Sequence, residues 1–260
     1  MATLVCFHAH PDDEAIATGG SMARAVEEGH RVVLVVATNG DHGEVPADLA
    51  PGETLVDRRR AETAKSAEVL GIHRVAWLDY ADSGMTGWEQ NDHEHSFHQA
   101  PLDEAAERLA AILREEQADV LTTYDWHGGY GHPDHIKVHH VGHRAAELAG
   151  TPTVFESTMN RDAFARMMAE APIEGVDFDP DGPSDDGNPF GSTEAEITHQ
   201  VDVTAWVERK RASIACHASQ VSDSSFFMSM DEAAFTMAFG TEWFIKKGAP
   251  SGMRPGWLFE

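Results

Sequence analysis

The chain has 260 residues, 42% of them hydrophobic and 24% charged, and its 44 acidic against 19 basic residues give a formal net charge of −25. That length suits one large core, and so strong an acid excess argues against nucleic acid and anionic membranes, both of which need a positive footprint. No apolar stretch reaches the ~18 residues of a membrane span, and "MATLVCF" lacks the basic start and small-residue cleavage site of a signal peptide, so a soluble, cytoplasmic protein is expected.

Taken in chain order, short apolar runs alternate with helical patterns, the signature of parallel βαβ units. "TLVCFHA" from Thr3 predicts a strand, and "EAIATGGSMARAVEEG" a single helix stopped by Gly29. "RVVLVVATNG" from Arg31 is a continuous apolar run, as expected of a strand covered on both faces. "ETLVDRRRAETAKSAEVLG" predicts a helix ended by Gly71, and "RVAWLDY" a third strand. "PLDEAAERLAAILREEQ" opens with a helix-starting Pro101 and early acids, "DVLTTYD" from Asp119 is a fourth strand, and "TPTVFEST" a fifth after the helical "HPDHIKVHHVGHRAAELAG". Beyond Arg161 the rhythm changes. "EGVDFDPDGPSDDGNPFGSTEAE" predicts a surface loop, "TAWVERKRASIACHASQ" a helix and "FGTEWFIKKG" a strand. One domain is expected over 1–260, with a core over 1–160 and a variable, smaller C-terminal cap over 161–260. Cys6 and Cys216, in a predicted strand and a predicted helix, make neither a zinc framework nor a disulfide pattern.

In an open parallel sheet, ligands bind outside the carboxyl ends of the strands. "HPDDE", "TNGDHGE", "DYADSGM" and "DWHGGYGHPDH" follow strands one to four, so four loops rich in histidine or acid share one edge. His10 and Asp13, three apart at a helix start, can face one side while Asp12 points elsewhere. His135, at the start of another helix, closes the set. Two histidines and one carboxylate leave coordination positions open, as in a catalytic metal site. One Zn²⁺ per chain suits these ligands best, and Fe²⁺ uses the same set. Asp12, beside the metal without binding it, is placed to take a proton from activated water. The blander reading of an isolated Asp-Asp pair is a helix N-cap. The glycines at 128, 129 and 131 in the second cluster weigh against it, since they are costly in a passive loop. Glu14 is read as a helix-start or supporting group, His139, His140 and His143 as a helix-packing set, His93, His95 and His98 as an exposed loop, and His42 and His127 as lying on loops that face the site.

These motifs, "AHPDDE", "ATNGDHGE", "RRRAE", "DSGM" and "GGYGHPDH" in this order, with a looser echo in "KRASIACHASQ", resemble the LmbE-like, PIG-L-type family of zinc-dependent N-deacetylases. The family includes the mycothiol-pathway deacetylase and the mycothiol S-conjugate amidase. The resemblance implies a Rossmann-like, mostly parallel sheet with helices on both faces and zinc on His10, Asp13 and His135. It also implies Asp12 as general base, His132 stabilising charge or protonating the leaving amine, Asp134 orienting His132, and Tyr130 reaching the oxyanion. Arg59 corresponds to an arginine that contacts a sugar or phosphate, Asp82 to a hydroxyl-binding residue, and Met85 to a wall of the acyl pocket. A solvated helix face for Arg59 and a turn cap for Asp82 are the plainer alternatives.

The expected function is N-deacetylation of an N-acetylated amino sugar or glycoconjugate, N-acetylglucosaminyl-inositol-like, with a conjugate amidase or a deacylase of another small N-acyl metabolite as the alternative. The partner is a small molecule, and a homo-oligomer is compatible with the sequence. An Fe(II) oxygenase shares the H-x-D…H pattern, but such enzymes are built on antiparallel double sheets. A non-catalytic sugar-binding protein would have no use for Asp12 beside a complete ligand set.

Overall fold

The computed structural model describes residues 1–170, 179–222 and 225–259. Its sheet grows outward from "TLVCFH", the strand Thr3–His8 (β1), in which every residue is buried. On one face Val5 and Phe7 pack with Leu109, Leu113, Val138 and Val141, and on the other Leu4 and Cys6 pack with Met22, Leu70, Val201 and Phe244. A strand covered on both sides reads as an unbroken apolar run, which is why alternation is absent here and in Arg31–Thr38 (β2).

The remaining strands are Arg74–Tyr80 (β3), Val120–Tyr124 (β4), Thr153–Thr158 (β5), His199–Asp202 (β6), Thr241–Lys246 (β7) and Arg254–Pro255 (β8), in the spatial order β3-β2-β1-β4-β5-β7-β6-β8. The first five pair in parallel, and β7 adds antiparallel to β5 with Phe155 opposite Lys246. The C-terminal strands therefore extend the same sheet. The α/β, Rossmann-like expectation is met: helices Leu102–Glu115 (in chain order α4) and Pro133–Ala149 (α5) cover one face, and Gly19–Glu27 (α2) and Leu55–Leu70 (α3) the other. The parallel strands also separate this fold from the antiparallel double sheets of the oxygenase alternative.

Local signals set the helix ends. Thr54 accepts from the Asp57 amide at 3.1 Å while the Asp57 carboxylate accepts from the Thr54 amide at 3.0 Å, a reciprocal cap that starts α3, and Gly71 at φ 79° ends it. The helix predicted from Glu14 to Gly29 is instead two, Asp13–Ala17 (α1) and α2, broken at Thr18. Thr18 Oγ1 lies 2.8 Å from His8 Nε2, and a Cβ on Gly20 would sit 2.6 Å from Val203, so the chain must turn as it passes the last strands. At the restart the amides of Gly20 and Ser21 donate to the Glu242 carboxylate of β7 at 2.8 and 2.9 Å. Lys210, on Val207–Cys216 (α7), pairs with the same carboxylate at 2.6 Å in the interior.

Removing one member of such a buried pair strands the other's charge. Lys210→Met is expected to lower stability by about 3–5 kcal/mol, read from chemical denaturation. A change under ~1 kcal/mol would show that the pair does not hold α7 to β7.

Arg161–Glu170 (α6), Phe226–Ser229 (α8), Glu232–Phe239 (α9), β6 and β8 go beyond the sequence expectations, whereas α7 and β7 match them. Of the loop expected over 174–196, residues 174–178 lie outside the described residues. Its remainder forms turns and is tied down, with Gly191 N–H donating to Gly129 O at 2.6 Å. Among the described residues no helix is long and apolar enough to cross a membrane.

Candidate metal centre

The turn between β1 and α1 carries His10 and Asp12, and Asp13 opens α1; the start of α5 carries Asp134 and His135, with His132 just before it. Parallel register brings both to one edge. The second turn is built on glycine: Gly128 has φ 67°, and a Cβ there would lie 2.3 Å from the His135 Cβ. That close approach lets the Gly128 carbonyl accept from His135 Nδ1–H at 3.1 Å, which leaves the lone pair on His135 Nε2. Nε2 is buried and has no hydrogen-bond partner among the described residues.

Asp13 Oδ2 lies 3.4 Å from His135 Nε2 and 3.3 Å from His10 Nδ1. Two ligands at tetrahedral positions, each about 2.0–2.1 Å from one zinc ion, are separated by about 3.3–3.4 Å. The donor set therefore fits a cation. On the far edge of its ring, His10 Nε2–H donates to Asp134 Oδ2 at 3.2 Å, the carboxylate backing that orients a ligating imidazole. Burial opposes charge on His10, yet Asp82, Asp13 and Asp134 outweigh it and hold its pKa well above the ordinary imidazole value. That negative field is what a cation would meet.

His10, His132 and His135 also bring nitrogens within 4.8 Å of one another, but His132 is unsuited to a metal. Its Nδ1 accepts the Asp134 amide at 3.1 Å, so the neutral ring carries its proton on Nε2. Burial, then the neighbouring His10 and His135, push its pKa down to about 2. Asp134 thus holds His132 through its backbone, while its carboxylate accepts from Ser83 N–H at 2.9 Å, from Ser83 Oγ, and from His10. Tyr130 packs its ring 4.9 Å from that of His135, and burial, then Asp13, raise its pKa, so the hydroxyl stays protonated.

Asp12 is held in a strained backbone, φ 120°. Its amide donates to Glu14 Oε2 at 2.9 Å, and Glu14 Oε1 accepts from His217 Nε2–H at 2.7 Å and from Ser66 Oγ at 2.7 Å. Arg59 is neither a solvated helix face nor exposed to solvent. It is buried and donates to Gly40 O at 2.9 Å, Pro11 O at 2.6 Å and Asp12 Oδ2 at 3.1 Å. Burial raises the Asp12 pKa to about 6 against the opposing pull of Arg59.

Asp82 caps a turn, accepting from Gly84 N–H at 2.8 Å, and also faces His10 Nε2 at 3.6 Å. It lines a polar cleft of about 570 Å³ with Asp41, His42 and His93. Met85 is over a third exposed and lines neither that cleft nor the apolar one beside Asp13. His127 turns inward to donate to Gly191 O at 3.2 Å, while His139 and His143 bond Tyr124 O and Glu156 and so tie α5 to the sheet.

The family model described as PIG-L, GlcNAc-PI de-N-acetylase, matches residues 5–146. A 1D-myo-inositol 2-acetamido-2-deoxy-alpha-D-glucopyranoside deacetylase of Streptomyces avermitilis is 38% identical over 99% of this chain and 96% of its own. The chain belongs to the PIG-L family. Another PIG-L relative with the same name, from Streptomyces griseus, is 40% identical over 86% of this chain and 77% of its own. In fold, the chain is similar to the N,N'-diacetylchitobiose deacetylase of Pyrococcus horikoshii, solved with its inhibitor MPG, at TM-score 0.60 and 24% identity over 94% of this chain and 83% of that one. The PIG-L match ends before His217, Lys210 and Glu242, so the groups that brace Asp12 and α2 from the C-terminal side lie outside it. Sequence reasoning passed over His217 and Ser66. The only signal was the echo "KRASIACHASQ", whose Ser219 bonds Glu62 of "RRRAE" through Oγ and N–H at 2.6 and 2.9 Å.

Proposed function

We propose that the protein is a zinc-dependent hydrolase of linear amides, an N-deacetylase acting on an N-acetylated amino sugar such as N-acetylglucosaminyl-inositol. The observation that carries this reading is the Asp13 carboxylate oxygen 3.3 and 3.4 Å from two imidazole nitrogens, with a second carboxylate, Asp12, next in sequence and paired with Arg59 at 3.1 Å. The names of the Streptomyces relatives supply the substrate class.

His10, Asp13 and His135 would hold the divalent ion, which would supply Lewis-acid polarisation and lower the pKa of water toward neutral. Each protein group then has one task. Asp12 takes the proton from attacking water. His132, neutral with its proton on Nε2, donates a hydrogen bond toward the developing oxyanion, and the protonated Tyr130 hydroxyl is a second donor. The leaving amine takes its proton from Asp12 once that carboxylate has been charged with one. A base with no metal-binding duty speaks against a non-catalytic sugar-binding protein.

The test is amine release from N-acetylglucosaminyl-inositol by protein stripped of metal and then reloaded. Activity is expected to be absent without metal and to return with about one zinc per chain. Full turnover by the stripped protein would refute the reading.

A further inference from the structure

A chamber of about 690 Å³ is lined by Asp13 and His135, with Ile16, Met159, Phe164, Met167, Phe239 and Trp243 also among its walls. An acetyl methyl occupies about the volume of one water molecule, ~30 Å³, whereas cavities of about 300–1,000 Å³ hold whole ligands. The lining is mainly apolar, methionines and aromatic rings that adapt to apolar groups, interrupted by polar side chains such as Ser157, Thr158, Asn160 and Arg166. On the opposite edge of the His10 ring, where Nε2 faces Asp82, lies the polar cleft with Asp41, His42 and His93.

The two clefts divide a substrate. A sugar hydroxyl placed against the apolar part of the chamber would forfeit a hydrogen bond, so the polyhydroxylated amine fits better on the acidic side. The acyl group beyond its carbonyl has no polar atoms and belongs in the chamber. We infer that the protein hydrolyses N-acyl amino sugars whose acyl group is an alkyl or aryl chain several carbons longer than acetyl, the chain lying in the chamber between α6 and α9. This rests on the amide-hydrolase reading above and extends it. Water adds to the acyl carbon, the C–N bond breaks, the amine departs with a proton, and the fatty or aryl carboxylate is the second product.

The experiment compares N-acetyl-, N-butanoyl-, N-hexanoyl- and N-octanoylglucosamine with the zinc-loaded protein, reading kcat/KM from amine release. Complete burial of a methylene is worth about fourfold, so partial burial of four is expected to give at least about a tenfold gain from acetyl to hexanoyl. Met167→Trp, which fills the chamber, is expected to reduce the hexanoyl-to-acetyl ratio by about tenfold. Calorimetry on metal-free protein supplies a second readout: N-hexanoylglucosamine is expected to bind about tenfold tighter than N-acetylglucosamine, with a more negative heat-capacity change. A flat or falling chain-length profile while acetyl is cleaved overturns the inference and leaves the deacetylase reading standing. Equal affinity of the two probes also overturns it. Failure to cleave any member of the series refutes the hydrolase reading, and this inference with it.

Discussion

His135→Ala is expected to leave the fold intact and remove both the metal and the activity. The replaced ring supplies a buried Nε2 with no hydrogen-bond partner among the described residues, 3.4 Å from Asp13 Oδ2, and the neighbouring His132 cannot take its place through Nδ1, whose lone pair is held by the Asp134 amide. Lewis-acid and water-activating contributions of several kcal/mol translate into a loss of at least about 10³-fold in kcat/KM. Zinc content by emission spectroscopy should fall from one per chain to near zero. Asp134→Asn provides the graded comparison: it weakens the support behind His10 Nε2 without deleting a ligand, so metal affinity should drop by about 10–100-fold, and excess zinc should restore activity. If His135→Ala kept a full equivalent of zinc, His135 would not be a ligand and the metal would have to sit elsewhere.

Much of this centre was legible in the sequence because its parts are local. "HPDDE" and "GGYGHPDH" each follow a strand that reads as one, and parallel pairing forces both to the same edge. The five parallel strands and the C-terminal end of α3 were legible for the same reason: apolar runs and a glycine directly after the last periodic residue are short-range signals. What escaped depends on distant partners. The break at Thr18 looks helical in isolation and exists because Val203 crowds Gly20 and Glu242 caps the restart from the other end of the chain. Arg59 sits in a run of three arginines whose register alone decides its role. Arg58 goes outward to Glu53 and Asp48, and Arg59 goes inward to Pro11 and Asp12. Similarly, His217 gains meaning only when Ser219 docks on Glu62 and turns its neighbour toward Glu14. The apolar chamber has no local signature, being assembled from α1, α6, α9 and β7.

Asp12→Asn separates proton transfer from metal binding. The side chain keeps its size, the amide of residue 12 still donates to Glu14, and Asp13 still lies between the two histidines, so about one zinc per chain should remain. Loss of the base is expected to cost about 10²–10⁴-fold in kcat, with KM changed far less because Asp12 acts on water rather than on the bound sugar. The pH profile carries the same assignment. Burial places the Asp12 pKa near 6 before any cation binds, and the base works only when ionised, so wild-type kcat/KM should show an acid limb that lies below about 6 in the metal-loaded protein and level off above it. A bound cation adds to Arg59 in favouring the carboxylate and draws this limb to lower pH. Arg59→Met acts in the opposite sense: with the guanidinium gone from 3.1 Å, the carboxylate is harder to ionise and the acid limb should move upward. The Asn variant should lack the limb altogether in whatever activity remains. An unchanged limb in Asp12→Asn would assign the proton transfer to another group, and loss of zinc in that variant would make Asp12 a ligand instead of a base.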